Sequence, residues 1–187
     1  VSFDGERAAV SYNTAGDTHA GAVDIFQFDK DGHPNLVSRA TFEGTDVNAV
    51  TAGAGRLWLA TSTTDEAYDT PAVLEGLTVL WNGQLSLDNH VRVGLSSHAA
   101  TSVAVGDGLV YATSGAEGGV FAFDPKNEAF IAQESLSDAR WVTYPGNGTV
   151  VTVAGVPGRL SVKDEENLAA IGDYTFNGAS VPEAKST

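Results

Sequence analysis

Residues Thr101–Asp124 read TSVAVGDGLVYATSGAEGGVFAFD. Two short strand patterns meet at Asp107-Gly108, a Gly-rich bend follows, and a third strand pattern ends on Asp124. In VYATS and VFAFD the large side chains fall on alternate positions, as a strand with two differently packed faces requires. Asp-Gly belongs where a hairpin reverses, because such turns need residues that tolerate positive φ.

Three weaker copies of this pattern account for nearly all of the remaining chain. Aligned on the first turn, they read SFDGERAAVSYN at Gly5, TAGAGRLWLATS at Gly55, AVGDGLVYATS at Gly108 and YPGNGTVVTVAG at Gly148, spaced 50, 53 and 40 residues apart. A third strand follows in each: AVDIFQFD (Ala22–Asp29), LTVLWNG (Leu77–Gly83), GVFAFD (Gly119–Asp124) and GRLSVKD (Gly158–Asp164). Polar turns then lead to fourth strands in DKDGHPNLVSRATF, NGQLSLDNHVRV, DPKNEAFIAQESL and DEENLAAIGDYTF. One four-stranded meander cannot bury both its faces, so such units stack. The spacing predicts an all-β fold, a β-propeller with four blades of four antiparallel strands. One domain spans 1–187, with blades at about 1–46, 47–99, 100–139 and 140–187. Asp65–Gly76, DEAYDTPAVLEG, reads as a loop because Pro71 interrupts any helix. Trp58 and Trp81 read as strand residues at core positions.

Asn177–Thr187 reads as the start of a further blade, and Val1–Gly5 as the continuation of the same innermost strand. Either the two ends close the ring, or the four blades belong to a larger propeller. A chain that begins at Val1 and contains no Met reads as having lost a leader, or as cut from a longer product.

Composition narrows the function classes. The chain is 42% hydrophobic, with 10 Lys+Arg against 24 Asp+Glu and a net charge of -14. That field repels nucleic acid and anionic membrane surfaces, so neither is an expected partner. Cysteine is absent, which excludes disulfides, thiolate chemistry and cysteine-based zinc sites. No apolar run approaches the length of a membrane-spanning helix.

The repeats resemble the bacterial β-propellers of the LVIVD and YVTN-like type, in which V-x-V, a D-G turn, an L-V-Y-V-A strand, a Gly and an L-x-V/I-x-D strand follow one another. The likeness is greatest in TSVAVGDGLVYATSGAEGGVFAFD, clear in NAVTAGAGRLWLATS and SYNTAGDTHAGAVDIFQFD, and least in VTYPGNGTVVTVAGVPGRLSVKD. The resemblance implies an extracellular or cell-envelope location. Four blades also resemble the hemopexin-like propeller, but that family's closing disulfide cannot form in a chain without cysteine. Fold resemblance assigns no chemistry.

In a propeller the loops between second and third strands share one face with the loops between blades, and candidate site residues concentrate there. The former carry Asp17, His19, Asp65, Glu66, Tyr68, Asp69 and Glu117; the latter carry Asp46, Asn48, His98, Asp138, Arg140, Trp141, Glu183 and Lys185. Asp46, Asn48, Asp138 and Glu183 offer oxygen ligands around one axis, the donor set that a hard cation such as calcium takes. The competing use of such residues is to cap turns by accepting backbone N–H bonds. Arg140 beside Trp141, with His98 and Lys185, offers a cation next to an aromatic ring for ligand binding. Asp29–Asn35, DKDGHPN, imitates the start of a calcium loop but lacks the distal Glu, and a polar hairpin belongs there in every repeat. His90 in DNHVRV reads as an outer-strand residue on a solvated face.

Three functions fit this inventory. The preferred one is a non-catalytic extracellular or envelope module that binds a protein, a small molecule or a glycan on its loop face. The alternative is a metal-dependent hydrolase of lactonase type with a cation in the central channel and His19 or His98 as proton acceptor. The third is a structural subunit associating with further blades or a second chain.

Overall fold

Four antiparallel sheets of four strands follow one another along the chain in the computed structural model, which describes residues 1–14, 18–156 and 158–176. The first sheet is β1 (Ser2–Asp4), β2 (Arg7–Asn13), β3 (Ala20–Phe28) and β4 (Pro34–Glu43). The second is β5 (Thr45–Gly53), β6 (Arg56–Thr63), β7 (Ala72–Val79) and β8 (Leu85–Gly94). The third is β9 (Ala100–Val105), β10 (Val110–Ser114), β11 (Gly119–Asp124) and β12 (Ala129–Glu134). The fourth is β13 (Ala139–Gly146), β14 (Thr149–Ala154), β15 (Arg159–Asp164) and β16 (Ala170–Thr175). Strand order within each sheet equals chain order, and no α-helix occurs among the described residues. The aligned glycines Gly5, Gly55, Gly108 and Gly148 all turn at positive φ (60°, 76°, 89° and 72°), the backbone region for which the alignment selected them.

The second sheet departs from expectation in its third strand. That strand begins at Ala72, five residues before Leu77, and Asp65–Gly76 is therefore loop only up to Pro71. Proline lacks an N–H and is tolerated where a strand begins. Here Pro71 contributes only its carbonyl, which accepts the Thr63 N–H at 2.8 Å. The strand ends before Leu80–Gly83, a turn closed by Leu80 N–H to Gln84 O and Gly83 N–H to Leu80 O, both 2.8 Å. Trp81 is at the tip of that turn and 90% exposed, so it is no core residue, whereas Trp58 is fully buried.

Among the described residues, three hydrophobic cores lie between successive sheets. Ala9, Val23 and Ile25 of the first sheet pack on Val47, Val50, Leu57, Leu59 and Leu77 of the second. Trp58, Ala60 and Leu74, on the other face of the second sheet, pack on Val103, Val110, Ala112, Phe121 and Phe123 of the third. The Trp58 and Phe123 rings meet edge-on with centroids 5.7 Å apart. Ala104, Tyr111, Val120 and Ala122 pack in turn on Ala139, Val142, Val150, Ala154 and Leu168 of the fourth. The second and third sheets thus each have a forward face and a receiving face, because side chains alternate across a strand. Fully burying a Val, Leu or Phe side chain contributes about 1.5–3 kcal/mol, so these faces carry most of the fold's stability. The third interface also encloses a charge: Lys163 is fully buried and ion-paired with Glu134 of β12.

Candidate functional site

The first strands of successive sheets pack side by side and line a common cavity of about 530 Å³. Its walls come from Ser2 and Ser11 of the first sheet, Asn48–Thr51 of the second, Thr101–Val105 of the third and Arg140–Tyr144 of the fourth. Short polar side chains bridge the strands at each junction. Ser2 Oγ accepts the Ala52 N–H at 3.0 Å. Asn48 accepts from Asn13 Nδ2 at 3.2 Å and donates through Nδ2 to the Ala100 carbonyl at 2.8 Å, which ties three sheets together. Thr101 Oγ1 donates to the Ala139 carbonyl at 2.8 Å, and Ser102 Oγ accepts the Val142 N–H at 3.3 Å. Such bonds satisfy backbone groups that an edge strand would otherwise leave open to solvent.

Of the residues expected to form a site, Asn48, Arg140 and Trp141 lie on this cavity. Asp46 Oδ1 accepts the Ala20 N–H at 3.0 Å, and its other oxygen is 3.9 Å from His19 Nε2. Asp138 receives Arg140 Nε at 2.6 Å, so each of these carboxylates is engaged by its own neighbour. Asp138 is at φ 56° and buried; its N–H donates to the Ala116 carbonyl, and its own carbonyl accepts the Gly155 N–H. Its Oδ2 is enclosed without a hydrogen-bond partner among the described residues. His98 is exposed in the segment before β9. Asp17, Glu183 and Lys185 lie outside the described residues. Asp29, Asp31 and His33 offer ligand atoms within 4.8 Å of one another, all on exposed residues. Asp29 Oδ1 already accepts the N–H groups of Asp31 (2.8 Å) and His33 (2.9 Å). Those backbone bonds hold the Asp29 carboxyl below the ordinary carboxylate range, and they account for the acidic turn without an ion.

A second cleft, about 600 Å³, opens between β4 and the outer strands of the second sheet. At its base is Glu75, 1% exposed, whose Oε1 accepts from Thr61 Oγ1 at 3.1 Å and whose Oε2 is 2.9 Å from His90 Nε2 and 3.5 Å from Arg92 Nε. Arg92 reaches on to Asp65 at 3.0 Å and lies over the Tyr68 ring, 5.0 Å from its centroid. His90 is thus on the outer strand as expected, but its side chain is only 20% exposed and paired rather than solvated. The sequence alone does not show this group, because a third strand read from Leu77 puts Glu75 in a loop, whereas β7 begins at Ala72. The alternation of His90 and Arg92 in DNHVRV was the available signal, since residues two apart share a face.

Among the described residues that line the two cavities, no serine or threonine hydroxyl is hydrogen-bonded to a histidine or a carboxylate. Thr61 Oγ1, 3.0 Å from the Val73 carbonyl and 3.1 Å from Glu75 Oε1, is fully buried and lines neither cavity, and the Ser2, Thr101 and Ser102 hydroxyls bridge backbone groups. The arrangement suits binding by hydrogen bonds and by the Trp141 ring. No protein-family model matches this chain, and no curated protein matches it.

Proposed function

We propose that the four sheets are successive blades of a β-propeller of the LVIVD and YVTN-like kind and that the chain is a non-catalytic binding module outside the cell or in its envelope. Its ligand enters where the first strands converge. The observation that carries this reading is the polar cavity to which all four sheets contribute a wall, with Arg140 and Trp141 among its lining residues. The serial packing of four meanders, each forward face on the next receiving face, supports the propeller geometry. The ligand that suits these walls is small, neutral and rich in hydroxyls, such as a glycan unit. An anion meets a chain of net charge -14, and a cation meets Arg140.

Titrating the purified chain with neutral methyl glycosides of glucose, galactose, mannose and N-acetylglucosamine tests the reading. Binding shifts the tryptophan emission; Trp141→Phe removes the signal and Arg140→Ala weakens affinity about tenfold, the loss of one charge-assisted hydrogen bond. Unchanged emission with all four glycosides at millimolar concentration rejects the proposed ligand class.

A further inference from the structure

The outer faces of the first and fourth sheets are built like the faces buried inside the stack. The hairpin pairs Asp4–Arg7, Gly53–Arg56 and Gly146–Thr149 put the sheets in register. On that register Ala8, Val10, Asp24 and Phe26 of the first sheet correspond to Leu57, Leu59, Glu75 and Leu77 of the second. The correspondence extends to the outer strands, where Asp24 pairs with Arg39 as Glu75 pairs with Arg92. The second sheet uses this face to receive the first. Val10 and Phe26 of the first sheet are half-buried, Leu36 and Tyr12 are 51% and 43% exposed, and no core cluster among the described residues covers them.

The fourth sheet has the complementary surplus. Val151 and Val162 stand where Ala9 and Ile25 stand in the first sheet, and Val153 and Leu160 where Ala60 and Leu74 stand in the second. Those counterparts are buried against a following sheet. Val151, Leu160 and Val162 are only half-buried, Tyr174 beside Leu160 is 61% exposed, and Trp141 continues the apolar surface to the cavity. Among the described residues, no other sheet covers the forward face of the fourth sheet or the receiving face of the first, although Ala8, Asp24 and Val153 on them are buried.

We propose that a second copy of this chain covers both: the fourth sheet of each copy packs on the first sheet of its partner, and two copies enclose one ring of eight sheets around a shared channel. This rests on reading the sheets as blades. The evidence for the occupant is continuity, since each new contact repeats the forward-on-receiving packing that already joins the sheets three times. A reciprocal pair closes, whereas a one-sided contact would extend without limit. Each copy carries a charge of -14, so the pair tightens as salt rises toward physiological strength.

Sedimentation velocity at micromolar protein is the first test, with twice 19.3 kDa expected. Leu36→Asp and Tyr174→Asp, each on an exposed site, are expected to shift the mass to 19.3 kDa with the circular dichroism spectrum unchanged. The cysteine-free chain permits a second test: Leu36→Cys and Tyr174→Cys protomers, mixed and treated with a short bismaleimide, are expected to couple to each other and not to themselves. A monomeric wild type, a like-with-like crosslink, or an open series of oligomers each overturns the proposal. Glycoside titration of the monomeric variants reads the channel separately, so failure of the pair and failure of the binding role are told apart.

Discussion

Glu75 Oε2 lies 2.9 Å from His90 Nε2 across β7 and β8, with the carboxylate enclosed between the first two sheets. Removing one member of a buried pair leaves the other without a partner in a poor solvent for charge, which costs about 3–5 kcal/mol. Glu75→Ala is expected to lower the urea unfolding free energy by about that amount, and Glu75→Gln, which keeps an acceptor, by less. An unchanged midpoint for Glu75→Ala would show that water substitutes for the carboxylate.

Asp24 is one of the carboxyls that contribute to stability at acid pH. The Arg39 guanidinium, bonded to both oxygens at 2.6 Å, holds the Asp24 carboxyl below its ordinary value against the opposing effect of burial. A carboxyl lowered on folding contributes stability that is complete above its unfolded value of about 3.9 and is lost as pH falls through the folded value. Asp173, lowered by Arg159 and Ser161, acts in the same direction. Unfolding free energy is expected to decline below about pH 4, less steeply in Asp24→Asn. Equal slopes for variant and wild type would refute the assignment.

Gly76 is opposite Trp58 in the β6–β7 register, and a Cβ built on it would stand 2.8 Å from Trp58 Cζ3. The ring is fully buried and donates from Nε1 to the Gly53 carbonyl at 3.2 Å, so it has little room to give way. Overpacking of this kind costs about 1–3 kcal/mol. Gly76→Ala is expected to destabilise by that much and to red-shift the buried tryptophan emission; a silent substitution would mean that the second interface is loosely packed.

Tyr111 and Tyr144 stack almost parallel, with centroids 5.9 Å apart and an interplanar angle of 8°. The Tyr144 hydroxyl donates to Glu165 Oε2 at 2.7 Å, which, with burial, pushes its pKa up to about 12. Burial raises Tyr111 as well. A phenol raised on folding contributes stability that is complete below its unfolded value of about 10 and is lost as pH rises through the folded value. Absorbance titration near 295 nm is expected to show these two phenols ionising late, together with alkaline unfolding. Tyr144→Phe should remove one late phenol and shift the alkaline limb; ionisation of all five tyrosines near 10 would contradict the stacked, bonded pair.

Trp81, at the tip of the β7–β8 turn, makes a test of opposite sign. Being 90% exposed, it is expected to tolerate Ser with a stability change within about 0.5 kcal/mol and to be the tryptophan most open to iodide quenching. A large loss on Trp81→Ser would place it in a contact that its exposure does not suggest.

Much of the strand order was legible because it depends on local chemistry. The Asp-Gly and Asn-Gly turns fixed where hairpins reverse, and alternation in VYATS and VFAFD marked strands with two packed faces. The misplaced β7 shows the limit. Pro71 and the acidic run before it have the composition of a loop, and only pairing with β6 reveals that Ala72–Gly76 is strand. Trp58 and Trp81 are the same residue type in equally apolar stretches, yet one fills a core and the other tips a turn, because register sets a side chain's surroundings.

The candidate site divides the same way. Placing the loops between blades at one axis brought Asn48, Arg140 and Trp141 into view, since chain order alone puts each before or within a first strand. The bridging roles of Ser2, Asn13, Thr101 and Ser102 were not visible, because serines and threonines are common in strands and only proximity gives them partners. By itself the sequence determined the repeat, its turns and the alternation of apolar faces, all of which follow from neighbours along the chain. Tertiary structure alone decided that Glu75 meets His90 and Arg92, and which two sheet faces are left uncovered among the described residues. The first depends on the β7–β8 register and the second on how whole sheets stack, and both are set by contacts between residues distant in sequence.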